Sequence, residues 1–97
     1  MTIKPERLPQ ELIKPVIALY SNGQIQEALD TVEALIKEDP QEPLFFNISG
    51  ACYAGLGQLD TAVKSYKQAL AIKPDYAEAH YNLGATLQGL GQLNSAV

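Results

Sequence analysis

Apolar residues recur along this chain in blocks with helical spacing, and glycine or proline punctuates the blocks. Phe45, Phe46, Cys52, Tyr53 and Leu56 fall at intervals compatible with one face of a helix. Ala62, Val63, Tyr66, Ala69 and Leu70 form a second such stripe. Between them, Gly57 suits the left-handed turn that ends a helix, and Asp60 stands where a carboxylate caps or stabilises the first turn of the next. Pro74 ends the second stripe, and Asp75 with Glu78 three residues on forms a capping pattern for a following helix. No alternating apolar run suggests a strand. The pattern predicts helices near residues 9–21, 25–38, 43–56, 60–72 and 77–90, a wholly α fold. Pro15 lies inside the first of these, where a proline removes a backbone hydrogen bond at a cost of roughly 3 kcal/mol, so a kink or a start at Pro15 itself is expected.

The blocks repeat. Gly23, Gly57 and Gly91 are spaced by 34 residues, as are Gln24, Gln58 and Gln92, and Ala28, Ala62 and Ala96. Ile25, Leu59 and Leu93 keep the same interval, as do Leu29, Val63 and Val97, and Pro40 and Pro74. Segments 43–63 and 77–97 share nine identities in 21 positions, including Gly-Leu-Gly-Gln-Leu at 55–59 and 89–93. Several independent columns agreeing on one period mark a repeat architecture in which each unit is a pair of helices.

These residues resemble tetratricopeptide repeats, with copies at about 9–42 and 43–76 and a third begun at 77 and truncated at 97. Ser49-Gly50 and Leu83-Gly84 match the family's large–small step in the first helix. Ala28, Ala62 and Ala96 match the small residue where paired helices touch, Tyr66 and Ala69 match the second helix, and Pro40 and Pro74 close each copy. The resemblance implies a single all-α domain, an antiparallel helix-pair solenoid, and Gly50 and Ala62 are expected at a tight crossing of two backbones. The first copy departs from the pattern. Pro15-Val16 replaces the large–small pair, Val32 the aromatic and Leu35 the small residue, as befits an atypical terminal repeat.

Composition narrows the function. The 97 residues carry 11 acidic and seven basic side chains, a net charge of −4, which argues against nucleic acid as a partner. The basic residues are scattered, with no cluster beyond Lys64, Lys67 and Lys73. No apolar run approaches the roughly 20 residues that span a bilayer, and the first residues lack the apolar core of a signal peptide, so a cytoplasmic setting without membrane attachment is the default. Cys52 and His80 are single, which leaves no disulfide or multi-cysteine metal site. A Cys52–His80 dyad would lack an orienting acid, and both residues fall on expected packing faces. Gly55-Leu56-Gly57 follows no strand, and its copy at 89–91 marks it as punctuation rather than a phosphate loop. Glu27, Asp30 and Glu33 read as a solvated helix face. A non-catalytic chain without a cofactor is expected.

In such arrays the first helix of each pair lines a concave face, and the resemblance places there Ile13, Ile17, Tyr20 and Ser21, then Leu44, Asn47, Ile48 and Ala51, then Glu78, Tyr81, Asn82, Ala85 and Gln88. Ile13, Ile17 and Ile48 have packing between repeats as their alternative. Family members that grip a terminal carboxylate use Lys, Asn and Arg at places held here by Ile13, Ile17, Ile48, Glu78 and Asn82; only Asn82 fits, and Glu78 carries the wrong charge. Asn82 also matches one rung of the asparagine ladder seen in O-linked N-acetylglucosamine transferase, and Ile48 breaks that ladder in the preceding copy. The expected function is a peptide- or protein-binding scaffold. The alternatives are the recruiting front end of a larger transferase, suggested by the segment 71–84, or an oligomerisation solenoid. The unfinished third copy suggests an N-terminal piece of a longer array. Leu83, Leu87, Leu90 and Tyr66 are then expected to be unusually exposed, and the C-terminal end to favour self-association.

Overall fold

The computed structural model describes residues 7–95, with side chains through Gln92. Six helices follow one another: α1 (Pro9–Leu12), α2 (Lys14–Ser21), α3 (Ile25–Glu38), α4 (Pro43–Gly55), α5 (Leu59–Ile72) and α6 (Ala77–Ser95). Among the described residues there is no strand. Pro15 divides the first helical stretch. Having no N–H to donate, it sits in the first turn of α2, and the chain breaks at Ile13 (φ −87°, ψ −8°).

Two of the three periodic glycines turn the chain. Gly23 and Gly57 have φ of 82° and 81°, which reverses the path after α2 and α4. Gln24 and Gln58 follow, each donating its N–H to the carbonyl five residues back, on Leu19 and Tyr53. Glu42 caps α4 by accepting from the Leu44 N–H at 3.2 Å, with Pro43 opening the helix. Asp60 lies in the first turn of α5, after Gln58 as cap. The bond from His80 N–H to the Tyr76 carbonyl places the cap of α6 at Tyr76, one residue past the expected Asp75.

Gly91 behaves differently. It lies inside α6, which runs unbroken for 19 residues, so the turn and second helix expected after residue 90 are replaced by continuing helix. Ala96 and Val97, the last columns of the repeat, lie outside the described residues.

Each helix packs chiefly on its neighbours in sequence, α2 on α3, α3 on α4, α4 on α5 and α5 on α6. The molecule measures 59 × 30 × 18 Å with a radius of gyration of 14.2 Å, against about 12.5 Å for a compact domain of this length. The core has two parts. Ile13, Val16, Ala28, Leu29, Val32, Phe45 and Cys52 fill the space among the first four helices. Ala69, Tyr76 and Ala79 form a second cluster, with Phe46 and Leu70 against it. The apolar residues of α4 therefore serve two faces rather than one, Phe45 and Cys52 towards α2 and α3, Phe46 towards α5 and α6.

Ala62 is fully buried, as its column predicts. At Gly50 the close approach is made by a side chain rather than by a second backbone: a Cβ there would stand 2.5 Å from Cε1 of Tyr66. Tyr66 is itself buried, contrary to the expectation that the open end would expose it, because α6 covers it. Its hydroxyl interacts with Thr86, while burial raises its pKa above that of a free tyrosine.

Candidate functional site

On α2 and α4 the first-helix face holds a small open groove of about 170 Å³, lined by Val16, Ile17, Tyr20, Ile48 and Ala51. Ile17 and Tyr20 are 46% and 39% exposed, high for side chains so apolar. Tyr20 lies over the bare backbone of Gly55: a Cβ at that glycine would meet the ring and its hydroxyl at 3.2–3.3 Å. Leu44 belongs to a separate hollow of about 510 Å³, where Glu42, Lys73, Tyr76 and Glu78 stand beside Leu8. There the Lys73 ammonium lies 5.1 Å from the centre of the Tyr76 ring, a cation–π distance.

α6 carries the face onward. Glu78, Tyr81, Ala85 and Gln88 all lie within about a third of a turn of one another at 100° per residue, and all are exposed, Tyr81 by 76%. Asn82 is half-buried and donates from Nδ2 to Oδ1 of Asn47 at 3.1 Å. The Asn47 amide also acts on the nearby Tyr76 hydroxyl, which partly offsets the upward shift that burial imposes on that phenol. This asparagine pair ties α4 to α6.

Two of the residues expected to line the face do not. Ile13 is 6% exposed, drawn into the core at the break before α2, and Asn47 is 3% exposed and satisfied by Asn82. Both are structural here: one packs, the other locks two repeats together. Ile17, Tyr20, Leu44, Ile48, Glu78, Tyr81 and Gln88 retain accessible surface. The pairing of Asn82 with Asn47 joins two amides 35 positions apart, a contact that shows in sequence only once the repeat register is fixed.

The chemistry elsewhere is structural. Cys52 is fully buried, and burial with nearby Glu33 pushes its thiol up to about 11, so it is held as the neutral thiol. His80 is exposed on α6, where Nε2 lies 2.7 Å from the Pro74 carbonyl. Cys52 thus belongs to the core of the first four helices and His80 to the start of α6, and the structure does not bring them together. Among the described residues no group of His, Cys, Asp and Glu could hold a metal ion. No helix among them is long and apolar enough to cross a membrane.

A family model described as TPR repeat matches residues 50–91. The chain is 29% identical over 75 residues to the peroxisomal targeting signal receptor of Candida glabrata, covering 77% of this chain and 13% of that protein. It is 31% identical over 87 residues to the TPR repeat-containing thioredoxin TTL4 of Arabidopsis thaliana, covering 90% of this chain and 13% of that protein. The chain thus spans about an eighth of the length of these relatives. Among solved structures, the Yersinia enterocolitica type III secretion chaperone SycD in complex with a peptide of the translocator YopD matches with a TM-score of 0.79 at 25% identity, covering 90% of this chain and 66% of that one. Helix pairs repeating every 34 residues, closed by glycine turns and matched by these relatives, make the chain a tetratricopeptide-repeat protein.

Proposed function

We propose that this chain is a non-catalytic scaffold that binds a peptide segment of another protein along the face formed by α2, α4 and α6. The observation that carries this reading is the run of accessible side chains on successive first helices: the exposed Ile17 and Tyr20, then the half-buried Ile48, then the exposed Tyr81 and Gln88. Likeness to a chaperone solved with a peptide of its client supports it. The groove at Ile17, Tyr20 and Ile48 suits an apolar side chain. Glu42 and Glu78 beside Lys73 make the next hollow mixed in charge, which suits a polar or basic residue better than a terminal carboxylate. A cytoplasmic setting belongs to the same proposal.

Selection of binders from a random peptide display library, followed by fluorescence anisotropy with Ile17→Lys and Tyr20→Ala variants, tests the reading. Both residues are exposed enough for the variants to fold. The selected peptides should share an apolar anchor and lose about tenfold or more in affinity to each variant. Peptides that bind both variants as tightly as the parent would sink the proposal for this face.

A further inference from the structure

A second groove lies on the other side of α4. Along that helix, Phe46, Ser49 and Tyr53 stand about half a turn from Leu44, Ile48 and Ala51 at 100° per residue. They floor a hollow of about 760 Å³ walled by α3 on one side and α5 on the other. Ile36, Phe46 and Tyr53 give it a half-buried apolar base. Its rim is basic: Lys37 comes from α3, and Lys64 and Lys67 from α5. Three of the chain's seven basic residues thus gather around one opening in a protein of net charge −4. The grouping differs from the one read in sequence, because Lys73 turns away to the Tyr76 ring and Lys37 takes its place, 27 positions before Lys64. The one carboxylate at the groove, Glu33, accepts the Tyr53 hydroxyl at 2.6 Å, and the three lysines outnumber it, so the rim is net positive.

We infer that this groove between α3 and α5 is a second docking site, for an acidic amphipathic peptide whose apolar side chains rest on Phe46 and Ile36 while its carboxylates meet Lys37, Lys64 and Lys67. An apolar floor under a cationic rim matches a segment with both properties. A polyanion such as nucleic acid would meet the rim but leave the floor unfilled, and the acidic remainder of the surface would repel it. The site is independent of the first-helix face, so two segments of one partner, or two partners, can be held at once.

The probe is a fluorescein-labelled amphipathic peptide with Leu and Phe on one face and Glu on the other. Its counterpart with Lys in place of Glu is the control. Anisotropy titrations of the whole chain should show binding of the acidic peptide only, weakening as salt is raised. The double variant Lys64→Glu/Lys67→Glu should weaken it about tenfold or more, while Tyr20→Ala leaves it unchanged. Amide shifts in an NMR titration should move at residues 36–37, 46–53 and 61–68. Circular dichroism of the double variant, altered only at exposed positions, confirms that it folds. No binding, equal binding of the Lys peptide, indifference to the charge reversal, or shifts confined to α2 and the α6 surface would each overturn the inference. Concentration-dependent shifts at the same lysines without peptide would give the groove to a second copy of the chain instead, and overturn it equally.

Discussion

Gly50 shows what one hydrogen atom in place of a methyl does in this molecule. The Tyr66 ring occupies the space a Cβ would need, and with Tyr66 3% exposed the ring has nowhere to retreat. Gly50→Ala gains about 1 kcal/mol of helix propensity and loses roughly 1–3 kcal/mol to overpacking. We expect the loss to win and the melting temperature to fall by several degrees; an unchanged or higher value would mean the ring shifts freely. Cys52 gives a second prediction at this scale. With its thiol pushed up to about 11 and its surface buried, it should resist a thiol reagent in the folded chain at pH 8 and react on unfolding. The linkage has a definite sign. A thiol raised from 9.0 in the folded state contributes stability that is complete below pH 9 and lost as pH climbs towards 11. Tyr53, pushed up to about 12 first by its bond to Glu33, adds a loss of the same sign between pH 10 and 12. Denaturant titrations at pH 8 and pH 11 should therefore show a lower midpoint at the higher pH.

At the scale of elements, most of the fold was legible in the sequence, because proline and glycine punctuate it and the 34-residue register repeats the punctuation. Expected and observed helix ends agree within about two residues for α3, α4 and α5. Pro15 announced the break before α2, since its missing N–H acts locally. What local sequence could not carry is the fate of Gly-Leu-Gly-Gln-Leu. At 55–59 it makes a turn, and at 89–93 the same five residues lie in continuous helix. In the first case α5 folds back onto α4, and that packing outweighs the weak preference of the glycine. The candidate face was legible only in outline for a related reason. Helical spacing names the residues on one side of a helix, but whether Ile13 or Asn47 is covered depends on helices elsewhere in the chain. The two glycines give opposite predictions. Gly57→Ala forces an L-residue to φ 81° and should cost about 1–2 kcal/mol. Gly91→Ala, where a Cβ meets nothing within 4 Å, should stabilise helix by about 1 kcal/mol. Thermal melts of the two variants should move in opposite directions, and a fall for Gly91→Ala would show that the turn forms there in solution.

At the scale of the molecule, packing runs between sequence neighbours, and among the described residues no helix covers the outer face of α6. Leu87 is 47% exposed, and Leu83 and Leu90 on the same side of the helix are half-buried. We expect this surface to drive weak association, seen as a sedimentation coefficient that rises with concentration and is lowered by Leu87→Lys. A coefficient that stays constant over the accessible range would show that the exposed leucines alone do not suffice.

The serial packing of α2 through α6 also has a mechanical consequence. A globule whose ends are stitched together by distant contacts resists a pull until many bonds shear at once. Here a force on the two termini would act along the stack, loading one helix contact at a time, so the chain should lengthen in small steps at low tension. The molecule is built to give way like a spring, and it would recover in the same way, since each helix finds its mate next to it along the chain.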